Sequence, residues 1–206
     1  MDIIATKRDV SYIFKLLAIC LDTPDPSFLT EKKICLHLFQ LFNDICPEAC
    51  VCAEKMQNSL QKYSKEELQI AYTELFVGPF KVKASPYGAT YLEKERKIMG
   101  DTTMGVLQYY RRAHLEVDSN EPPDHITIEL DFLSHLYALE AEALHNKDDK
   151  KIIEIRDEQR LFLGKYLQPW IPDFIDNIRH GTQNKFYLNL ADCLELFLLQ
   201  TVPALR

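Results

Sequence analysis

Residues 124–145 read DHITIELDFLSHLYALEAEALH, and their apolar side chains recur at intervals of three or four positions. This spacing is typical of one face of an α-helix, because every third or fourth residue comes to the same side. The stripe comprises Ile126, Leu130, Leu133, Tyr137, Ala141 and Leu144. Asp124 is a residue type that accepts hydrogen bonds from the first backbone N–H groups of a helix. We therefore predict a long helix with Asp124 as its N-cap and His125 in its first turn.

The same helical spacing recurs along the rest of the chain. Ser64 and Glu67 predict a capping box that opens one helix, and Thr90 with Glu93 predicts another, which Gly100 ends. Only six glycines occur in 206 residues, and no hairpin dipeptide or strict apolar–polar alternation supports a strand. Further helices are predicted at about residues 7–21, 27–43, 47–63, 101–116, 148–167, 173–179 and 184–200. We expect an all-α fold, a compact bundle of about nine helices.

The charge of the chain limits its partners. Its 24 basic and 31 acidic side chains give a net charge of −7. An acidic surface repels phosphate groups, so we expect no nucleic-acid partner; it either favours a basic peptide or simply keeps the protein soluble. The N-terminus shows no secretory signal, and no window approaches the ~18 uninterrupted apolar residues of a membrane span. We expect a cytoplasmic protein without stable membrane insertion.

Neither the cysteines nor the known catalytic motifs support a metal site or an enzyme. The six cysteines are expected to be thiols in a reducing compartment, and Cys46, Cys50 and Cys52 lack the paired spacing of a structural zinc site. His125 and Glu129 form a pair at i, i+4, which is too few ligands for a metal and is typical of a helix-stabilising or solvent-facing pair. Nucleophile and phosphate-loop motifs are missing. We predict no cofactor, no metal and no enzymatic activity.

The first break in the helical pattern covers residues 77–89. Gly78 permits a positive φ there, and Tyr87 stands between Pro86 and Gly88. Loops carry functional residues more often than helices do. An aromatic side chain in such a loop is either packed into the core or offered as a binding platform, and both alternatives remain open for Tyr87.

The second break reads Glu121-Pro122-Pro123-Asp124-His125. A structural role as a helix cap alone explains Asp124. A carboxylate beside an imidazole at a helix start can also hold a cationic ligand, and Glu121 adds a second acid. The alternative is a small catalytic pocket, in which His125 is the base and Asp124 or Glu121 orients it.

Taken in order, the residues of both breaks resemble the TorD/DmsD/NarJ family of chaperones over roughly residues 68–140. The matching pattern is Tyr72-x-x-Leu75-Phe76-x-Gly78-Pro79, Pro86-Tyr87-Gly88, Tyr91-Leu92-x-x-Glu95 and Glu121-x-Pro123-Asp124-His125-x-x-x-Glu129-x-x-Phe132-Leu133. The resemblance implies a cytoplasmic, all-helical chaperone. Such a chaperone binds the twin-arginine leader, or a related N-terminal segment, of a molybdopterin oxidoreductase catalytic subunit, and holds it until cofactor loading and assembly are complete.

The resemblance also implies a peptide-binding site. It is expected to consist of Tyr72, Phe76, Pro86, Tyr87, Glu121, Asp124 and His125. Carboxylates bind guanidinium groups through charge-assisted hydrogen bonds, and aromatic rings stack on them and cover apolar segments. Tyr87 stands where many relatives have tryptophan, which changes the shape of the pocket but keeps an aromatic surface.

We expect one helical domain over residues 1–206 that is a monomer or a homodimer. Relatives include domain-exchanged dimers, and the segment 118–123 is a hinge at which such an exchange can occur.

Overall fold

The computed structural model of the protein describes residues 2–78, 82–93, 100–116 and 121–201. Helix accounts for 79% of these residues, and no strand occurs among them. The described ranges contain 11 helices, of which nine have seven or more residues, so the prediction of an all-α fold is confirmed. None of the helices in these ranges is both long enough and apolar enough to cross a membrane.

In chain order, the helices are α1 (Ile3–Leu21), α2 (Pro26–Glu31), α3 (Ile34–Ile45), α4 (Pro47–Leu60), α5 (Lys65–Tyr72), α6 (Ala89–Leu92), α7 (Asp101–Arg112), α8 (Ile126–Asn146), α9 (Asp149–Phe162), α10 (Ile171–Gly181) and α11 (Lys185–Thr201). π-Helical turns extend α5 over Thr73–Val77 and α9 over Leu163–Leu167. The predicted capping box at the start of α5 is confirmed, because Ser64 and Glu67 exchange hydrogen bonds of 2.8 and 3.2 Å.

The helix predicted at residues 27–43 is wrong as a single element. Asp25 caps α2, which ends at Glu31, and Lys33 then adopts a left-handed conformation with a φ of 52° before α3 begins. A non-glycine residue with positive φ interrupts the helical hydrogen bonds, although the apolar spacing continues on both sides of it. Periodicity therefore predicted the buried faces but not the break.

The capping box predicted at Thr90 and Glu93 is also wrong. Thr90 lies inside α6, whose N-cap is Gly88, and Glu93 follows the last residue of this helix. The Glu93 carboxylate instead accepts a hydrogen bond of 2.7 Å from the backbone N–H of Thr102, in the first turn of α7. Gly100 is the N-cap of α7 rather than a helix stop. Glycine has no side chain that could accept a hydrogen bond from the free N–H groups of the first helical turn. Glu93 provides that acceptor from outside the helix.

The chain forms two compact units. Unit 1 comprises Met1–Ala18 and Pro86–Ile171, and unit 2 comprises Ile19–Ser85 and Pro172–Arg206. A single domain over residues 1–206 stays a prediction, as does the hinge at 118–123, of which residues 118–120 lie outside the described ranges.

Each unit has its own aromatic core. In unit 1, the ring of Phe132 on α8 lies 4.8 Å from that of Tyr110 on α7 and 4.7 Å from that of Phe162 on α9. In unit 2, α4 packs against α3 and α11, and the rings of Phe42 and Phe197 lie 6.0 Å apart. These cores hold the loops that contain the candidate site.

Candidate functional site

The two loops of unit 1 meet in a short antiparallel bridge. The backbone N–H of Ile126 donates to the carbonyl of Pro86 at 2.8 Å, and that of Gly88 donates to the carbonyl of Asp124 at 3.0 Å. These hydrogen bonds pair Tyr87 with the residue opposite it in the second loop. The fold thereby brings together five of the seven predicted site residues, namely Pro86, Tyr87, Glu121, Asp124 and His125.

Asp124 is not the N-cap of α8, contrary to the prediction. Its side chain is 1% exposed, and Oδ2 accepts a hydrogen bond of 2.8 Å from the backbone N–H of Ala89, the first residue of α6. Oδ1 is buried without a hydrogen-bond partner among the described residues. The Asp124 carboxylate therefore ties the second loop to the first one.

His125 caps α8 in place of Asp124, so its predicted position in the first turn is wrong by one residue. Its backbone is extended, and the Nδ1 atom accepts a hydrogen bond of 3.3 Å from the backbone N–H of Thr127. The ring is 5% exposed and lies edge-to-face on the ring of Tyr87, with 5.2 Å between the centroids. Because Nδ1 is engaged in the cap, the imidazole holds Tyr87 and the helix start together.

Tyr87 and Glu121 form the solvent-facing part of this site. The Tyr87 hydroxyl donates a hydrogen bond of 2.5 Å to Oε2 of Glu121. Tyr87 is half-buried and Glu121 is exposed. The Tyr87 ring packs on His125, and its hydroxyl binds the exposed carboxylate of Glu121; a role of Tyr87 as a binding platform stays a prediction.

A buried acid, Glu129, lies beneath the bridge. It is 0% exposed, so our interpretation of Glu129 as a solvent-facing partner of His125 is wrong. A methyl group added at Gly88 would lie 3.5 Å from Glu129 Oε1 and 3.0 Å from Trp170 Nε1, which places both side chains directly under the first loop. The sequence contained a signal for this burial, because Glu129 lies three residues after Ile126 and thus on the apolar face of α8.

Burial raises the pKa of Glu129 well above its ordinary value, and the nearby charge of Asp124 raises it further. The nearby Trp170 indole acts in the opposite direction and is the smaller effect. Burial therefore favours the protonated, uncharged form of Glu129. The loop that carries Tyr87 lies directly over this buried acid and over the indole.

The two remaining predicted residues, Tyr72 and Phe76, contact each other in unit 2. Their rings lie 5.2 Å apart at the end of α5 and in the π-helical turn that follows it. Phe76 is 5% exposed and packs on Phe174 and Tyr187. Gly78 ends the turn with a φ of 77°, which confirms the predicted positive φ.

Tyr72 also lines an open groove of about 700 Å³ in unit 2. Its other lining residues are Thr23, Glu66, Gln69, Ile70, Thr73, Glu74 and Val77. Ile70 and Val77 are more than half exposed, and Glu74 pairs with Lys83 at 2.9 Å. The groove therefore combines apolar side chains with carboxylates, as expected of a surface that contacts a basic and partly apolar segment.

No group of three or more His, Cys, Asp or Glu side chains within the described part of the chain is arranged to hold a metal ion. The catalytic alternative requires His125 to act as a base. Its Nδ1 atom is committed to Thr127, whose hydroxyl also lies 2.7 Å away.

Comparison with known proteins places these segments in a family. The model of the family described as "Nitrate reductase delta subunit" matches residues 43–176. Curated relatives include the Tat proofreading chaperone DmsD of Salmonella typhi, which is 29% identical over 140 residues that cover 67% of this chain and 62% of the relative. The chaperone protein TorD of Vibrio parahaemolyticus is 28% identical over 144 residues, which cover 68% and 66% of the two chains. The chain thus spans less than two thirds of the length of these relatives.

A solved structure described as a redox enzyme maturation protein of Archaeoglobus fulgidus has the same fold. It aligns with a TM-score of 0.52 and 22% identity, and covers 91% of this chain and 93% of its own. The curated relatives are named as chaperones rather than as enzymes.

Proposed function

The chain belongs to the nitrate reductase delta subunit family, and from this premise we propose that it is a chaperone for the maturation of a molybdopterin oxidoreductase. It binds the twin-arginine leader or the N-terminal segment of the catalytic subunit in the cytoplasm, as a monomer or homodimer, until the cofactor is loaded and assembly is complete. The observation that carries this proposal is the family match at residues 43–176, which includes every candidate residue from Tyr72 to His125. The chaperone names of the curated relatives support it.

In unit 1, the recognition surface of this proposal is the pair formed by Tyr87 and Glu121. An exposed carboxylate accepts charge-assisted hydrogen bonds from a guanidinium group, and an adjacent aromatic ring stacks on it. The buried residues Pro86, Asp124 and His125 do not contact the peptide in this proposal. They position Tyr87, since each of them is bonded to or packed on the loop that contains it.

In unit 2, the proposed contact surface is the groove that contains Tyr72. Its exposed aliphatic side chains, Ile70 and Val77, fit the apolar part of a leader, and Glu66 fits a basic residue. Phe76 supports Tyr72 from the core. The net charge of −7 favours the encounter with a basic segment.

Binding of synthetic peptides tests this proposal. Isothermal titration would compare the purified protein with the variants Glu121→Gln and Glu66→Gln, and with Glu142→Gln and Glu54→Gln as controls that remove one exposed acid elsewhere in the same unit. We expect a twin-arginine leader to bind, and each site variant to bind about tenfold more weakly, because a charge-assisted hydrogen bond is replaced by a neutral one. The controls should bind like the parent protein.

A leader in which lysines replace both arginines sharpens the result. It keeps the charge but loses the planar, bidentate geometry of guanidinium, so we expect weaker binding to the parent protein and a smaller loss in Glu121→Gln. Failure of every reductase leader to bind would refute the proposed function. Normal binding by both folded site variants would refute only the assignment of the surfaces.

A further inference from the structure

Two cysteines face each other between α4 and α11 in unit 2. Cys193 is fully buried, and its Sγ atom lies 3.7 Å from Met56 Sδ and 3.8 Å from the carbonyl oxygen of Ala49. Both contacts are on α4, one turn to either side of Cys52, so Cys193 lies against the face of α4 that carries Cys52. Cys52 is half-buried and therefore reachable from solvent. One thiol of the pair is accessible, and the other lies directly behind it.

The surroundings of Cys52 favour its thiolate form. The pKa of Cys52 is lowered to about 7, mainly by the hydrogen bond from Cys193. Burial and the charge of Asp192 act in the opposite direction, while the positive charges of Lys55 and Arg179 add to the lowering. The pKa of Cys193 is raised well above its ordinary value, by the hydrogen bond with Cys52 and by burial. These surroundings therefore favour the thiolate form of Cys52 and the thiol form of Cys193.

The other cysteines provide internal comparisons. Cys20 and Cys35 form a second pair of interacting thiols, but both are buried, and Cys35 and burial raise the pKa of Cys20. Cys50 is half-buried like Cys52, but burial and the charges of Asp44 and Glu48 raise its pKa. Only Cys52 combines access, a nearby thiol and a positive environment, which are the properties of a redox-sensitive cysteine.

We infer that Cys52 is a site of oxidation by hydroperoxides and that Cys193 converts the oxidised product into a disulfide between α4 and α11. The Cys52 thiolate attacks one oxygen of hydrogen peroxide, the O–O bond breaks, and the other oxygen leaves as water after taking up a proton. Cys52 is then a sulfenic acid. The sulfur of Cys193 attacks the sulfur of Cys52, the S–O bond breaks, and the hydroxyl leaves as a second water with the proton of Cys193. In total, two thiols lose two electrons, and one peroxide is reduced to two waters.

Peptide mapping of the full chain by mass spectrometry tests this inference without any variant. We expect stoichiometric peroxide to produce a Cys52–Cys193 disulfide before any other cysteine reacts. Alkylation of the reduced protein by iodoacetamide should have its half-maximal rate for Cys52 near pH 7, and at a clearly higher pH for Cys50. Oxidation of Cys50 or of the Cys20–Cys35 pair as fast as Cys52, or a common pH profile for Cys50 and Cys52, would overturn the inference.

Variants then separate the two roles. In Cys193→Ala, the sulfenic acid at Cys52 should persist and be trapped by dimedone, whereas Cys52→Ser should yield neither the adduct nor the disulfide. Cys50→Ser is the matched control and should behave like the parent protein. Circular dichroism would establish that each variant is folded. A disulfide to Cys193 or a dimedone adduct that persists in folded Cys52→Ser would show that Cys52 is not the oxidised residue.

Discussion

Two glutamates on α8, Glu129 and Glu140, are both 0% exposed but are stabilised in opposite protonation states. Glu140 accepts hydrogen bonds from Arg156 at 2.7 Å and from Gln159 at 3.1 Å, and pairs with Lys7 at 3.1 Å. Burial alone would raise the pKa of Glu140, but these partners outweigh it and lower the pKa below its ordinary value. Glu129 has no cationic partner among the described residues, and burial raises its pKa.

The difference shows that burial alone does not determine what an acid contributes to a fold. Glu140 is charged and joins α1, α8 and α9, because each of its partners comes from a neighbouring helix. Burial favours the uncharged form of Glu129, which lies beneath the Gly88 turn. A buried charge without partners costs several kcal/mol, so a buried acid without them takes up a proton instead. The candidate site of unit 1 lies over Glu129, in the first turn of α8.

The largest expected effect on stability comes from removing the charge of Glu140. Glu140→Gln leaves Lys7 and Arg156 without their carboxylate, and we expect a loss of about 2–3 kcal/mol in the free energy of unfolding at neutral pH. This value is at the low end for a buried pair, because Arg156 is partly exposed and regains water. Urea denaturation measures the loss, and Glu142→Gln, an exposed acid on the same helix, should change stability by less than about 0.5 kcal/mol.

The pH dependence of this loss follows from the lowered pKa of Glu140. The stabilisation is present above the pKa of the unfolded state and disappears as the pH falls through the lower pKa of the folded state. The difference between the parent protein and Glu140→Gln should therefore shrink in acid. A difference that stays constant down to the lowest pH at which the protein is folded would contradict the assignment of Glu140 as a charged group.

A smaller loss of stability is expected from adding a methyl group at Gly88, above Glu129 and Trp170. In Gly88→Ala, the added methyl would lie 3.0 Å from Trp170 Nε1 and 3.3 Å from Cε2, so the indole has to move. We expect a loss of about 1–2 kcal/mol and a shifted fluorescence spectrum, since Trp170 is the single tryptophan of the chain. Gly164→Ala is the control, because its methyl would lie 3.7 Å from the nearest side-chain atom, Gln168 Oε1. An unchanged Trp170 spectrum in Gly88→Ala would show that the turn does not rest on the indole.

Replacing Glu129 by a neutral residue should change the stability of the protein only at higher pH. Glu129→Gln keeps the shape of the protonated side chain and removes its titration. The pKa of Glu129 is raised in the folded state, so the parent protein loses stability as the pH rises above the ordinary range of glutamate, while the variant does not. The variant should therefore gain on the parent protein from pH 5 to pH 8 in denaturation experiments. If the stability of the variant instead rose relative to that of the parent protein as the pH was lowered, Glu129 would be charged in the folded state.

The smallest effect is expected at the surface of the site. Tyr87→Phe removes the hydrogen bond to Glu121 but keeps the ring on His125, so the loss of stability should be about 0.5 kcal/mol. A double-mutant cycle with Glu121→Gln isolates this bond, because the second substitution should add little in the Phe background. Additive effects of the two substitutions would show that the bond contributes nothing in solution.

Residues 64–129 show which features the sequence predicts and which it does not. The capping box at Ser64, the positive φ at Gly78 and the pairing of the two loops were predictable, because local hydrogen bonding and family resemblance indicate them. The exchange of roles between Asp124 and His125 was not. The backbone N–H that the Asp124 carboxylate binds belongs to Ala89, which is distant in sequence. N-cap preferences describe only neighbouring residues, so they do not predict a hydrogen bond to a distant backbone N–H.

The sequence by itself determined that the protein is helical, which faces of its helices are buried and which two loops carry the unusual residues. These features follow from spacing within one helix turn, and therefore from neighbours in the chain. Only the tertiary structure decided that Asp124 and His125 are buried, that the pKa of Glu129 is raised while that of Glu140 is lowered, and that Cys193 lies against the face of α4 that carries Cys52. Desolvation and charge depend on which side chains pack around a group, and those side chains come from distant parts of the chain.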